Sequence, residues 1–343
     1  MRRRRFMVYI LPMGAMIGGL IAVLSRLSHQ TLVGKALEMA ETTRFDQAPV
    51  FVGSRMVGEG IESPEPAALS FHKENLLVSY MNSDRIDEYS GTLEQLRSFH
   101  LLKGEPASLA GLSSDSTRVY AADALSGELL IADYQSGELI RSIGSLPDNR
   151  GRIKLTNVTC TAGNIYATDA ATRQVLVISP SAIPGVRDEW ELMLHFPARG
   201  AGQWALRYPT AVLATPDGRL LVSDVGNRDV KGFTCNGRFA HMLEQEGEAQ
   251  MVSPMGMAQD GLPSPGLLAL ADTVFHPSGV YGQGRIHITD ATLARVKVFD
   301  TLGGYVLTYG AELRRPRGIV IDQERRLILV ADGELHAIMV YTY

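Results

Sequence analysis

The chain has 343 residues, 45% of them hydrophobic and 20% charged, with 33 Lys+Arg against 37 Asp+Glu for a net charge of −4. Apolar residues are too plentiful for intrinsic disorder, and the length is enough to bury a large core. With Arg2 to Arg5 set aside, 29 basic residues face 37 acidic ones, a body at −8 without the basic footprint that nucleic-acid binding requires.

Residues 1–25 read as an Arg-rich tip and a membrane anchor. Phe6 to Ser25 is twenty residues without a charge, the length a helix needs to cross a ~30 Å hydrocarbon core. Arg2 to Arg5 lie on one side with nothing comparable on the other, which predicts a cytoplasmic N-terminus and the rest of the chain on the periplasmic or extracellular side. A cleaved signal peptide competes, because Arg3-Arg4-Arg5-Phe6-Met7 has a faint twin-arginine character, but no small-x-small cleavage site follows Ala22-Val23-Leu24-Ser25. Gly14, Gly18 and Ala22 place small residues on one helix face, a geometry that lets two anchor helices pack closely.

Residues 26–48 read as a helical spacer. Leu32, Val33, Ala36, Leu37 and Ala40 recur at helical spacing, with Lys35, Glu38 and Glu41 elsewhere. Such a helix would lie on the membrane, pack on the domain, or pair with a copy of itself.

From residue 49 to 343 one unit recurs. Its clearest copy, the fourth, is Tyr208 to Phe239. An apolar strand at Val212 to Ala214 is followed by the turn Pro216-Asp217-Gly218 and a second strand, Leu220-Leu221-Val222, closed by Ser223-Asp224. A third strand around Val230 to Phe233 reaches the hairpin Asn236-Gly237, and the chain returns through Phe239. Copies one to three begin near Pro66, Pro106 and Leu155, the fifth at Pro277-Ser278-Gly279-Val280, and the sixth at Pro316. Five second strands end on aspartate, at 123, 169, 224, 290 and 332, where the first has Tyr80. One residue type in every repeat fits a repeated structural need, here capping the loop to the third strand through its amides.

Copies four to six resemble NHL repeats, through Pro316-x-Gly318-Ile319 with Val330-Ala331-Asp332, Asp224-x-x-Asn227-Arg228 with Phe233, and Asp290 with Arg295-Val296-Lys297-Val298-Phe299. The resemblance spans roughly residues 50 to 343 and implies an all-β, six-bladed β-propeller, in which radial repetition leaves only short, protected edges. Copy six supplies three strands before the chain ends, so Pro49 to Val57 is expected to pair outside the 337–343 strand and close the ring.

Two long stretches depart from the repeat: Ser181 to Arg207, and Gln245 to Phe275. Read as connections between blades, they rise on the face of the repeated aspartates and carry Trp204, Arg207, Met255 and Met257, residue types enriched in interface cores. Arg314, Arg315 and Arg317 reach the same rim and suit an acidic partner. Cys160 and Cys235 are expected to be free and mostly buried. His72 and His276 fall at corresponding inner-strand positions, too few for the metal site of a peptide-amidating lyase of this fold. Asn157 on an inner strand is the one residue matching the axial oxygen ligands of calcium-dependent lactonases.

The reading is a membrane-tethered propeller that binds a protein or peptide, or serves as an accessory subunit of a membrane complex through its anchor helix. The alternative is a metal-dependent, calcium-type hydrolase or lyase with its site on the axis. No catalytic residue, metal set or cofactor motif is identified.

Overall fold

Six runs of β-branched and apolar residues, each broken by Gly, Asp or Asn turns, give six separate four-stranded antiparallel sheets. The structure is a computed structural model that describes residues 32, 34–35, 48–145, 152–180, 190–197, 202–261 and 284–343. Blade 1 comprises β2 (Pro66–His72), β3 (Asn75–Tyr80), β4 (Arg85–Tyr89) and β5 (Gln95–His100). Blade 2 comprises β6 (Leu109–Ser114), β7 (Arg118–Asp123), β8 (Leu129–Asp133) and β9 (Leu139–Ile143). Blade 3 comprises β10 (Leu155–Thr161), β11 (Asn164–Asp169), β12 (Gln174–Pro180) and β13 (Trp190–Phe196). Blade 4 comprises β14 (Pro209–Ala214), β15 (Arg219–Asp224), β16 (Asp229–Thr234) and β17 (Phe239–Met242). Blade 5 comprises β18 (Pro254–Gln259), β19 (Arg285–Asp290), β20 (Arg295–Asp300) and β21 (Tyr305–Tyr309). Blade 6 comprises β22 (Pro316–Asp322), β23 (Leu327–Asp332), β24 (Ala337–Thr342) and, from the start of the domain, β1 (Val50–Met56).

The ring closes as expected: β1 pairs antiparallel with β24, from Val50 opposite Thr342 to Met56 opposite Ala337. This covers the edge that β24 would otherwise expose. Leu32, in helical conformation, packs on the core beneath β1. It sits so close to Gly53 that a Cβ there would lie 2.5 Å from a Leu32 methyl, which favours the spacer packing on the domain.

The core is six wedges between neighbouring blades. One joins Leu77 and Ile86 of blade 1 to Leu109, Leu112 and Val119 of blade 2. Near the axis the wedges narrow until side chains no longer fit. A Cβ on Gly256 would meet the Arg317 carbonyl at 2.4 Å, and one on Gly318 would meet the Ala67 carbonyl at 2.6 Å. Hydroxyls also stitch blades together: Ser79 donates to the Leu109 carbonyl at 2.8 Å, Thr156 to Pro209 at 2.8 Å and Thr210 to Pro254 at 2.9 Å.

Three expectations need correction. The innermost strand of blade 5 is Pro254–Gln259, paired with β19, whereas Pro277 to Val280 lies outside the described residues. Both stretches read Pro-x-Gly, and the second is nearer in sequence to β19. The stretch 181–207 contains the outer strand β13, so only 197–208 connects blades 3 and 4. Likewise only 243–253 connects blades 4 and 5; the second stretch continues as β18 itself, and 262–275 lies outside the described residues. Finally, Cys160 and Cys235 are both free, but only Cys160 is partly buried, its thiol pushed up to about 11 by burial; Cys235 is exposed.

Phe6 to Ser25, with Gly14, Gly18 and Ala22, lies outside the described residues, as does His276. Among the described residues no helix is long and apolar enough to cross a membrane.

Candidate functional site: the aspartate-capped end of the axis

The repeated aspartates do more than the sequence pattern implies. Each takes amides of the loop that follows it and also the amide of the residue just before its blade's innermost strand. Asp290 accepts from Thr292 and Leu293 at 3.1 and 2.9 Å, and from Val252 and Ser253 at 2.7 and 3.1 Å. Asp332 takes Glu334, Leu335, Arg314 and Arg315 in the same way. Asp224 takes Arg207 and Tyr208 at 2.7 and 2.8 Å, together with Asn227. Asp123 and Asp169 repeat the pattern through Ser108 and Lys154. All five are buried. A carboxylate held by several amides is fixed in place and committed to a structural role. In blade 1, where Tyr80 replaces the aspartate, its hydroxyl donates to Asp87 at 2.7 Å. Asn82 does the tying there, its Oδ1 accepting the Glu65 N–H at 3.3 Å, while Asp84 accepts from Leu102 and Gly104 at the entry to blade 2, at 3.0 and 2.8 Å.

This rigid rim presents the side chains just ahead of each innermost strand. Arg207 and Tyr208 on blade 4 are the register equivalents of Arg314 and Arg315 on blade 6, because they give their amides to equivalent aspartates. Trp204 and Tyr208 are each 41% exposed, and Arg207 and Arg314 are exposed. Trp204 folds over Gly202, where a Cβ would lie 2.8 Å from its indole ring. Arg315 and Arg317 both reach Glu65 of blade 1, at 3.0 and 3.7 Å. Arg317 is the more enclosed, and its basicity is lowered by burial and by the neighbouring Arg315, with Glu65 opposing.

Of the residues predicted for this face, the structure thus brings Trp204, Arg207, Arg314, Arg315 and Arg317 to one end of the axis. The two methionines are different. Met257 is buried on β18, in the wedge between blades 4 and 5, and Met255 is half-buried on the same strand. Both read as loop residues only when blade 5 is started at Pro277 instead of Pro254. Tyr208, exposed beside Arg207, opens the clearest repeat and reads in the sequence as punctuation.

A cavity of about 280 Å³ lies along the axis, lined by the inner strands of all six blades. Its polar groups are neutral: Ser70, Ser113, Asn157, Thr159 and Gln259. Asn157 does line the wall, but its amide oxygen faces the Val212 N–H at 3.4 Å. Among the described residues no three His, Cys, Asp or Glu side chains are grouped to hold a metal ion. His72 is buried and stacked on Tyr134, ring centroids 3.4 Å apart.

A search against protein-family models finds none that matches, and a search of curated proteins finds none. Solved structures do match. A streptogramin B lyase superimposes with a TM-score of 0.56 at 10% identity, over 84% of this chain and 96% of that one. A catalytically inactive histidine-to-alanine variant of virginiamycin B lyase from Staphylococcus aureus, with quinupristin, gives 0.56 at 13% identity over 84% and 99%. Hydrazine synthase from Kuenenia stuttgartiensis gives 0.52 at 11% identity over 82% and 96%. At such identities the likeness establishes the six-bladed propeller fold and nothing of its chemistry.

Proposed function

We propose that this chain is a membrane-tethered propeller that docks a protein or peptide partner on the aspartate-capped end of its axis. One observation carries the reading: Trp204 and Tyr208 stand 41% exposed beside the exposed Arg207, on a rim whose five repeated aspartates are engaged by backbone amides. Aromatic and Arg side chains on a rigid scaffold are the usual anchors of a binding surface. The NHL-like assignment of the repeat rests on Pro316-x-Gly318-Ile319 and Asp224-x-x-Asn227-Arg228. The tether, and a propeller outside the cytoplasm, rest on the charge-free run Phe6 to Ser25 behind Arg2 to Arg5.

The test is capture of crosslinked partners from detergent-solubilised membranes by the full chain and by Trp204→Ala/Arg207→Ala/Tyr208→Ala. The variant should lose the partner that the parent retains while melting at nearly the same temperature. Equal capture by both moves the interface elsewhere. Loss only on deleting residues 1–45 makes the anchor helix the interface instead. Reporter fusions after Tyr343 test the topology: a fusion active only in the cytoplasm contradicts it.

A further inference from the structure

Around the axis mouth, the register position of Arg317 is filled in blades 1 to 5 by Ala67, Ala110, Thr156, Thr210 and Met255. None is charged, so the repeat has no structural need for a cation there. Blade 6 alone places a guanidinium here, against Gly333 and toward Glu65 of blade 1, and sets Arg315 two residues before it.

Two guanidiniums then share one carboxylate. Glu65 lies 3.0 Å from Arg315 and 3.7 Å from Arg317, and it is the acid that pairs with them among the described residues. The Nε of each arginine is buried with no acceptor. Both stems lie against Gly333, where a Cβ would be 3.3 Å from the Arg317 Nε and 3.6 Å from that of Arg315. The absent side chain is the space the two forks occupy. The cluster still reaches solvent, with the Arg315, Glu65 and Arg317 side chains 39%, 32% and 19% exposed. Arg314 adds a further exposed cation, its Nη1 3.3 Å from its own neighbour's carbonyl at Leu313. Asp332 beneath them is saturated by amides and supplies no further acceptor.

We propose that Arg315 and Arg317 form a receiving site for a second carboxylate, an acidic side chain of the partner docked on this end. Glu65 is the resident acid that holds the two forks apart from each other until it is joined or displaced. A guanidinium accepts a carboxylate in two parallel bonds, and Arg317 now has only a distant, shared partner. A partly desolvated excess of positive charge at the mouth of the axis selects an acid over a neutral group. The inference rests on the docking reading above and names the chemistry of the partner's contact.

The experiment uses the full chain in detergent micelles at low salt, with a fluorescent acetyl-(Asp-Glu)₃-amide peptide as probe, read by anisotropy. The Asn-Gln peptide of equal length and inorganic sulfate are the comparison arms. The acidic peptide should bind about tenfold more tightly than its amide analogue, and Arg317→Gln should cost about tenfold. Glu65→Gln should tighten binding about threefold, because it removes the resident competitor. A purely structural ion pair predicts the reverse, no gain in binding and a lower melting temperature. Arg325→Gln, whose partner Asp322 lies at the other end of the axis, should leave binding unchanged. Arg315→Gln repeats the test at a more exposed position should Arg317→Gln fold poorly. Unchanged binding in the arginine variants, or no tightening in Glu65→Gln, overturns the site. Sulfate competing as well as the acidic peptide overturns its assignment to carboxylates. If the site fails while Trp204-dependent partner capture persists, the docking reading stands without it.

Discussion

Two fully buried aspartates of blade 5, Asp290 closing its second strand and Asp260 just after its first, are satisfied in different ways. Asp290, at the capped end, is held by the amides of Val252, Ser253, Thr292 and Leu293. Asp260, at the other end, takes a single amide, the Arg285 N–H at 2.5 Å on Oδ1, and is otherwise held by side chains. Its Oδ2 lies 2.8 Å from an Arg285 Nη and 2.9 Å from His287 Nε2, while His287 Nδ1 faces the Tyr309 hydroxyl at 3.0 Å. At the capped end the aspartate's partners are main-chain amides, which do not titrate. The other end depends on the protonation of a buried histidine. The difference locates function by subtraction: at the capped end the acids are fixed, and what varies between blades is what protrudes beyond them.

The largest effect should come from breaking the amide cap. Asp290→Ala strands four backbone donors in a dry site, a loss on the order of 4 kcal/mol. Asp290→Asn keeps one acceptor oxygen and should lose roughly half of that. Urea unfolding measures both, and a loss below about 1 kcal/mol for the alanine would mean that water replaces the carboxylate. Next is the narrow part of the wedge joining the two ends. Gly256→Val drives methyls into the Arg317 carbonyl and should cost about 3 kcal/mol, whereas the same change at Gly218, with nothing within 4 Å, acts only through its positive φ of 79°.

Acid separates the two ends by a smaller amount. Burial lowers the His287 pKa, against the pull of Asp260, so the folded chain keeps this ring neutral. Burial alone would raise the Asp260 carboxyl, yet its bonds to His287 and Arg285 hold it below the usual carboxylate range. Burial also lowers His72 and His241, reinforced by Lys73 and Arg219 respectively. In the unfolded chain these histidines protonate near pH 6.5, while the folded ones resist. The unfolded state therefore binds more protons as pH falls from 7 to 5, and stability should fall by up to about 1.4 kcal/mol per pH unit for each such group. His287→Phe should flatten this slope, though it lowers stability at neutral pH by stripping Asp260 of a partner. Asp290→Ala should leave the slope as it was. Melting curves at pH 7, 6 and 5 check both.

Much of this architecture is legible in the sequence. Repetition of a Pro- or Leu-led strand and an Asp-terminated one gives six blades, and the missing fourth strand of the last unit points to Val50–Met56. What fails is local. Pro254-Met255-Gly256 and Pro277-Ser278-Gly279 are equivalent as patterns. Only the packing of Gly256 against Gly318 separates them, and that is a contact between distant residues. Trp190–Phe196 reads in the sequence as part of a loop because nine residues separate it from β12. At the candidate site, residue types were readable but their partners were not. That Arg315 and Arg317 converge on Glu65, some 250 residues earlier, follows from ring closure and from no local signal.

The smallest effect on stability is expected where the effect on function should be greatest. Trp204, Arg207 and Tyr208 are exposed, and changing all three to alanine should shift unfolding by no more than about 0.5 kcal/mol apiece. Partner capture from solubilised membranes by the full chain, set beside this triple variant, is therefore the most direct test of a docking surface on the aspartate-capped end. Docking there predicts capture lost with the melting temperature preserved. Capture undiminished in a folded triple variant would contradict it.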